Sequence, residues 1–198
     1  MNTITDVNLE NVKQMESEYS DSTLNNVAKA VTLCKAIQWR TVHIIFNVEP
    51  KPSQRPRLSG NRIYVPGASK NTQYFSRFVL PTLGDLWIDK PCRVKLDLYI
   101  KTPPSFTKTQ KMLAEMKLLR PWTHTGDIDN FDKTYLDSIQ GNMKRGHKGI
   151  MFDDCLVYEL DSKKYYSMRP RVEMTIIYMH KIPKGIMNVL KLQDHPRP

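Results

Sequence analysis

The chain has 198 residues, of which 40% are hydrophobic, enough for one core and too many for a wholly disordered chain. It has no apolar run of about 18 residues, which argues against a membrane-spanning helix, and its first residues do not resemble a signal peptide. A net charge of +10 indicates either a polyanionic partner, most often nucleic acid, or an ordinary basic surface. The three cysteines form no CxxC pair, so we expect neither a disulfide framework nor a cysteine zinc site, and the simplest compartment is the cytoplasm.

The first 40 residues are expected to form a polar, helical N-terminal extension. Leu24, Val27, Ala28 and Val31 recur at roughly helical spacing, and residues 1–33 carry five acids but only two lysines. Alternating apolar residues then predict strands over 41–48 and 93–100. The Pro- and Gly-rich stretch between them predicts a loop or loose hairpin, followed by a helix over 69–87 that Pro81 kinks or ends.

The second half of the chain continues this mixture of helices and strands. A helix is predicted over 107–120, with Met112, Leu113, Met116 and Leu119 facing inward. Another helix is expected to run to about Gln140, followed by a strand–turn–strand over 150–166 and a closing strand over 171–179. We therefore predict one α+β domain over 41–180 with a small mixed sheet packed by helices, and a mobile C-terminal tail over 181–198.

The loop between the first two predicted strands is strongly basic. From Pro50 to Arg77 the sequence has six Lys and Arg residues and no acid. Such a one-signed stretch repels itself unless an anion lies against it. Its prolines limit how far the backbone collapses, so basic side chains can be held outward.

The segment DIDNFDKTYLDS carries the most chemical information. Asp127 and Asp129 are two residues apart, and Asp129 is a natural helix N-cap. Asp129, Lys133 and Asp137 then follow at i, i+4 and i+8 and fall within an arc of about 80°. A separate arc is apolar and should face the core: Ile128, Phe131, Tyr135, Leu136 and Ile139. Taken alone, the pattern also fits a capped surface helix with one Asp–Lys pair.

A second acidic pair, Asp153–Asp154, interrupts an apolar run. Charges in a strand are costly unless they are exposed, paired or bound to a cation. Carboxylates brought together repel, and the hard cations Mg²⁺ or Mn²⁺ offset that repulsion. An EF-hand loop, an HExxH zinc helix, a GxxxxGK[ST] phosphate loop and a GxSxG elbow do not fit the sequence.

With these motifs the chain resembles the RusA-type Holliday junction resolvases, which are common in phages. The resemblance covers 41–179 and rests on EPKPSQRPR with NRIYVP, on GDIDNFDKTYLDSIQG, and on MFDDCLVYELDSKKYY. It implies a homodimeric, Mg²⁺-dependent endonuclease, with Mn²⁺ able to substitute, that acts on four-way DNA junctions. No organic cofactor and no membrane are implied.

The resemblance also assigns residues. Asp127, Asp129 and Asp154 would be the catalytic, metal-binding acids and Lys133 the catalytic lysine, while Asn130 and Asp137 would shape the site. Basic residues would bind the DNA phosphates: Lys51, Arg55, Arg57, Lys70, Lys163 and Lys164. The chain departs from the family pattern in Thr125–Gly126 before Asp127, in the long spacing from Asp129 to Asp154, and in the extension before Thr41.

Two other readings compete with the resolvase. The first is a noncatalytic protein that binds branched DNA, in which the acids are helix caps and surface charge. The second is a metal nuclease with the same site that prefers flaps or forks. Cleavage with Mg²⁺ separates the first reading from the others, and substrate preference separates the second.

Overall fold

The computed structural model of the protein describes residues 19–52, 57–59, 62–64, 68–122, 125–141 and 147–197. Its helices are α1 (Asp21–Lys35), α2 (Ala68–Tyr74), α3 (Lys108–Glu115), α4 (Ile128–Ile139) and α5 (Lys184–Val189). Its strands are β1 (Gln38–Phe46), β2 (Arg57–Ser59), β3 (Arg62–Tyr64), β4 (Cys92–Lys101), β5 (Val157–Ser167) and β6 (Arg171–Lys181). The α+β fold with an N-terminal helix is therefore confirmed.

A mixed four-stranded sheet lies at the centre of the fold, in the order β1-β6-β4-β5. β6 pairs antiparallel with β1 and β4, whereas β4 and β5 are parallel. Parallel neighbours need a crossover connection, and α3 and α4 lie in that crossover. The predicted strands over 41–48 and 93–100 correspond to β1 and β4, and β2 and β3 form the expected small hairpin.

One face of the sheet carries the main core. The side chains of Val94, Leu96 and Leu98 on β4 are almost fully buried because alternate strand residues point to the same face. The buried cluster includes Phe75 of the α2 region and Phe131 of α4, so both helices cover this face. The core thus fixes α4, which carries the acidic motif, against the sheet.

Helix α2 continues as a π-helical segment, Phe75–Val79, and ends in a 3-10 turn, Leu80–Thr82. Pro81 lies at the start of that last turn. Proline has no backbone N–H and cannot extend an α-helical ladder. The prediction that Pro81 kinks or ends this helix is confirmed.

The predicted inward face of the helix over 107–120 is wrong. Helix α3 ends at Glu115, and Met112 and Met116 are 65% and 64% exposed. Ala114 is the buried residue of α3, and the Glu115 carboxylate accepts hydrogen bonds from the Ser167 hydroxyl and the Met168 amide. These contacts at the end of β5 orient the helix, so its long apolar side chains face solvent.

The C-terminal segment is packed, contrary to the expectation of a mobile tail. Ile186 of α5 is fully buried and forms a second cluster with Ile37 and Met179, against which Leu33 of α1 also packs. Beyond α5, the carbonyl of His195 accepts a hydrogen bond from the Trp87 indole at 2.8 Å. None of the helices in the described segments is long and apolar enough to span a membrane.

Candidate active site

Helix α4 begins at Ile128, and Asp127 occupies its N-cap position without a side-chain capping bond. The chain turns immediately before, at Gly126, whose φ of +81° favours glycine. The prediction that Asp129 is the N-cap is therefore wrong, because the helix starts two residues earlier. Asp129 lies instead in the first turn, where the helix dipole favours a negative charge.

We call the row of Asp129, Lys133 and Asp137 along α4 the acid face. All three side chains are exposed, as the four-residue spacing predicts. On the other side of the helix the expected apolar arc is buried: Phe131, Tyr135, Leu136 and Ile139. Ile128, the first residue of α4, is 36% exposed and is the exception.

Two hydrogen bonds attach the start of α4 to strand β5. The Asp132 carboxylate accepts from the Ser162 hydroxyl at 2.5 Å, and the Lys164 ammonium donates to the Gly126 carbonyl at 2.8 Å. Burial raises the pKa of Asp132, the Ser162 hydrogen bond lowers it, and the Asp129 charge raises it further. Because Lys164 holds the residue just before Asp127, β5 fixes where the acid face begins.

The other end of α4 holds the chain that leads to the second acidic pair. The Ile139 carbonyl accepts a hydrogen bond from the Ile150 amide at 2.9 Å, and the Gly141 amide donates to the Met151 carbonyl at 2.9 Å. Between these segments, a Cβ at Gly149 would overlap the backbone of Ile139, Gln140 and Gly141. The close approach therefore requires glycine at position 149.

Asp153 and Asp154 lie in a 3-10 turn and not in a strand, which corrects the sequence prediction for this segment. Asp153 is the N-cap of the turn Asp154–Leu156, which we call the acid turn, and β5 starts only at Val157. The Asp153 carboxylate accepts from the Cys155 amide at 2.9 Å and from the Gln140 side-chain amide at 3.1 Å. Hydrogen bonds from Cys155 lower the pKa of Asp153, so Asp153 is ionised and committed to the turn. The neighbouring Asp154 side chain is exposed.

The acid face and the acid turn are within electrostatic reach of each other. Partial desolvation raises the pKa of Asp137, the Lys133 charge lowers it, and the Asp154 charge raises it. Asp137 and Asp154 thus repel each other across the gap between α4 and the acid turn. Asp129 and Asp154 are 25 residues apart in sequence, and the acid turn that carries Asp154 follows the segment that pairs with the end of α4.

Comparison with known proteins assigns the chain to a family. The family model described as endodeoxyribonuclease RusA matches residues 47–177, most of the chain and both acidic segments. The chain belongs to the RusA endodeoxyribonuclease family. It is also 30% identical over 136 residues to the uncharacterized protein YqaN of Bacillus subtilis strain 168, a match that covers 65% of this chain and 89% of that protein.

The Asp side chains of the acid face and the acid turn offer hard oxygen atoms, which are the ligand type that Mg²⁺ prefers. The repulsion between Asp137 and Asp154 is of the sort that a cation offsets. Among the described residues, no three His, Cys, Asp or Glu side chains converge closely enough to hold a metal ion together. The acid face and the acid turn supply their oxygens from separate elements.

The predicted DNA-binding residues of this RusA-family chain have several environments. Lys51 and Lys70 are exposed. Lys51 precedes Pro52, which packs so closely on Gly126 that a Cβ added there would lie 2.9 Å from the Pro52 Cγ. Lys163 pairs with Asp161 at 2.7 Å on the sheet face opposite Lys164, because neighbouring strand residues point to opposite faces. Arg55 and the side chain of Arg57 lie outside the described residues.

The sequence did not predict the residues that hold the two acidic segments in position. Lys164 appeared only as a phosphate ligand, yet its ammonium bonds to the Gly126 carbonyl. The available signal was the pair of glycines that flank the two acidic segments, Gly126 and Gly149, since glycine next to a functional loop often marks a positive φ or a close approach.

Proposed function

We propose that this RusA-family protein is a Mg²⁺-dependent endodeoxyribonuclease that resolves four-way DNA junctions by paired, symmetric cleavage as a homodimer. The observation that carries the proposal is the backbone pairing at the end of α4, where the Ile139 carbonyl accepts from the Ile150 amide and the Gly141 amide donates to the Met151 carbonyl, both at 2.9 Å. This pairing brings the segment that leads to the acid turn against α4, so the two acidic segments of the chain are neighbours. The raised pKa of Asp137, to which the Asp154 charge contributes, agrees with this arrangement.

In this proposal Asp127, Asp129 and Asp154 would hold the metal, and their side chains would have to converge further than they do among the described residues. Mn²⁺ would be able to replace Mg²⁺. Bound at these acids, the cation would supply an activated water and neutralise charge on the phosphate. Asp127 suits the role because its side chain makes no capping bond, and Asp129 and Asp154 because they are exposed. Family membership supports DNA cleavage, and the donor chemistry supports a hard cation.

Lys133 is the cationic residue of the acid face. It lies on the acid face one turn from Asp129 and one turn from Asp137, and its charge lowers the pKa of Asp137. We assign it to stabilising the negative charge that develops on the phosphate or the leaving oxygen. Asn130 and Asp137 would shape the site around it, and the Asp154 charge raises the pKa of Asp137.

DNA phosphates are proposed to bind the basic side chains around the acid face. The set is Lys51, Arg55, Arg57, Lys70, Lys163 and Lys164, and such contacts position DNA without reading its sequence. Among them, the Lys164 ammonium bonds to the carbonyl of Gly126, the residue before Asp127, and the exposed Lys51 precedes Pro52, which packs close to Gly126. A homodimer with twofold symmetry would present two sites to a four-way junction, whose symmetry is also approximately twofold.

Incubation of the purified protein with Mg²⁺ and labelled four-way, three-way and linear DNA tests the proposal. We expect two symmetric nicks in the four-way junction and little cutting of the linear duplex. Preferred cutting of a flap or fork would favour the nuclease of different specificity. Binding of junctions without cleavage in either Mg²⁺ or Mn²⁺ would contradict the proposal and favour a noncatalytic DNA-binding protein.

A further inference from the structure

Residues 193–197, here called the C-terminal strap, contact the segment before β4, and His195 within the strap stacks on Phe152, the residue before the N-cap of the acid turn. Lys90 anchors the strap: its ammonium donates to the Gln193 carbonyl at 2.8 Å and to the Asp194 carboxylate at 2.9 Å. Lys90 is only 6% exposed, although it also pairs with Asp89 at 2.7 Å. A nearly buried ammonium with three acceptors is a fixed point, so the strap has a defined position.

The strap holds the ring of His195 against Phe152. The two rings are stacked, with centroids 3.9 Å apart and planes 13° from parallel. Both backbone groups of His195 are fixed as well: its amide donates to the Asp89 carboxylate at 3.0 Å, and its carbonyl accepts from the Trp87 indole at 2.8 Å. The backbone of His195 therefore has a fixed position, and this position places the imidazole ring on Phe152.

Phe152 directly precedes Asp153, the N-cap of the acid turn. Its amide donates to the Ile88 carbonyl at 2.9 Å, so the backbone on one side of the turn is fixed. Its ring is 37% exposed with His195 stacked on it. Phe152 therefore lies between the strap, which its ring contacts, and the acid turn, which follows it in the chain.

We propose that the C-terminal strap is a positioning element for the acid turn, with His195 acting through Phe152 to hold Asp154 toward the acid face. The catalytic significance of this element rests on the function proposed above. His195 is a positioning residue and touches neither metal nor DNA in this proposal. The chemistry it supplies is a flat ring, so an aromatic side chain should replace it and an aliphatic one should not.

The experiment compares His195→Ala with wild type by amide hydrogen exchange in metal-free protein, and then by Mg²⁺ titration of junction cleavage. We expect the Cys155 and Leu156 amides, which bond to Asp153, to exchange about tenfold faster in the variant while core amides such as that of Leu96 do not change. The Mg²⁺ concentration for half-maximal cleavage should rise about tenfold, as for loss of an outer-shell contact. His195→Phe should restore both values.

Arg197→Ala is the matched control, because it breaks an exposed strap contact, Arg197 to Asp85 at 3.3 Å, that does not reach Phe152. It should behave as wild type in both measurements. Unchanged Cys155 exchange in His195→Ala would overturn the inference, as would faster exchange throughout the core, which would make the strap a general stabiliser. If wild type does not cleave but His195→Ala still loosens the acid turn, the proposed function fails while the coupling between strap and turn stands.

Discussion

The carboxylate of Asp153 accepts a hydrogen bond from the backbone amide of Cys155 at 2.9 Å. This bond closes the acid turn and gives the two adjacent acids different tasks. Asp153 is the N-cap that stabilises the turn, whereas Asp154 is exposed and raises the pKa of Asp137 on α4. Adjacent residues with the same side chain are thus separable by mutation.

Asp154→Asn should abolish metal-dependent cleavage because it removes a proposed metal ligand, and it should leave folding intact because the Asp153–Cys155 bond that closes the turn remains. Asp153→Ala should instead lower the free energy of unfolding by about 1 kcal/mol, as expected for loss of an N-cap. Junction cleavage and urea unfolding of both variants make the comparison. Loss of cleavage confined to Asp153→Ala, with Asp154→Asn fully active, would mean that the roles are reversed.

Lys164→Met should destabilise the protein by about 1.5 kcal/mol, because the hydrogen bond from its ammonium to the Gly126 carbonyl would be lost. Lys163→Met is the matched control. Lys163 is the neighbour of Lys164 in β5 and forms only an exposed pair with Asp161 on the opposite sheet face. Thermal unfolding of the two variants should differ clearly. Equal unfolding temperatures would show that Lys164 does not hold the start of α4.

Gly149→Ala should cost about 3 kcal/mol or prevent folding, because the new Cβ overlaps the backbone at the end of α4. Gly84→Ala is a suitable control. Gly84 also needs glycine, with φ of +57°, but a Cβ there meets nothing within 4 Å, so only about 1 kcal/mol of backbone strain is expected. Equilibrium unfolding of both variants measures the difference, and similar losses would argue against close packing at residue 149.

The burial of Asp132 predicts a pH dependence of stability. Its pKa is raised in the folded state, so the folded protein binds the proton more tightly than the unfolded chain. The protonated Asp132 therefore stabilises the folded protein. This contribution to the free energy of unfolding is fully present below the ordinary Asp pKa of 3.8, and it is lost as the pH rises through the raised pKa of the folded state. Asp132→Asn keeps an oxygen that accepts from the Ser162 hydroxyl, but it does not titrate. The free energy of unfolding of the variant minus that of wild type should therefore increase from pH 3.5 to pH 7. A constant difference across that range would contradict the prediction.

The sequence predicted those parts of the fold that depend on local pattern. Clean alternation located β4, four-residue spacing located the acid face, and Pro81 marked the end of the α2 region, because each signal acts within a few residues. The acid turn was missed because an apolar run with two acids looks like a strand until the Asp153–Cys155 hydrogen bond is known. The exposed face of α3 was missed because the Glu115 contact with Ser167 is 52 residues away in sequence.

The C-terminal tail shows the same limit. Prolines at 183, 196 and 198 indicated a mobile segment, yet residues 193–195 are fixed by Lys90 and Trp87, about a hundred residues earlier in the chain. The family motif indicated which acids belong together, whereas the position of the acid turn beside α4 involves the close approach at Gly149 and the hydrogen bond from Gln140 to Asp153. Partners so distant in sequence leave no periodic signal.

The most direct test of the central claim is junction cleavage by Asp129→Asn. This variant keeps the size of the side chain and removes the charge at the start of the acid face. The account predicts that Mg²⁺-dependent cleavage of a four-way junction is lost, by a factor of about 100 or more, while junction binding without metal is retained. Cleavage by Asp129→Asn at the wild-type rate and with the wild-type Mg²⁺ dependence would contradict it.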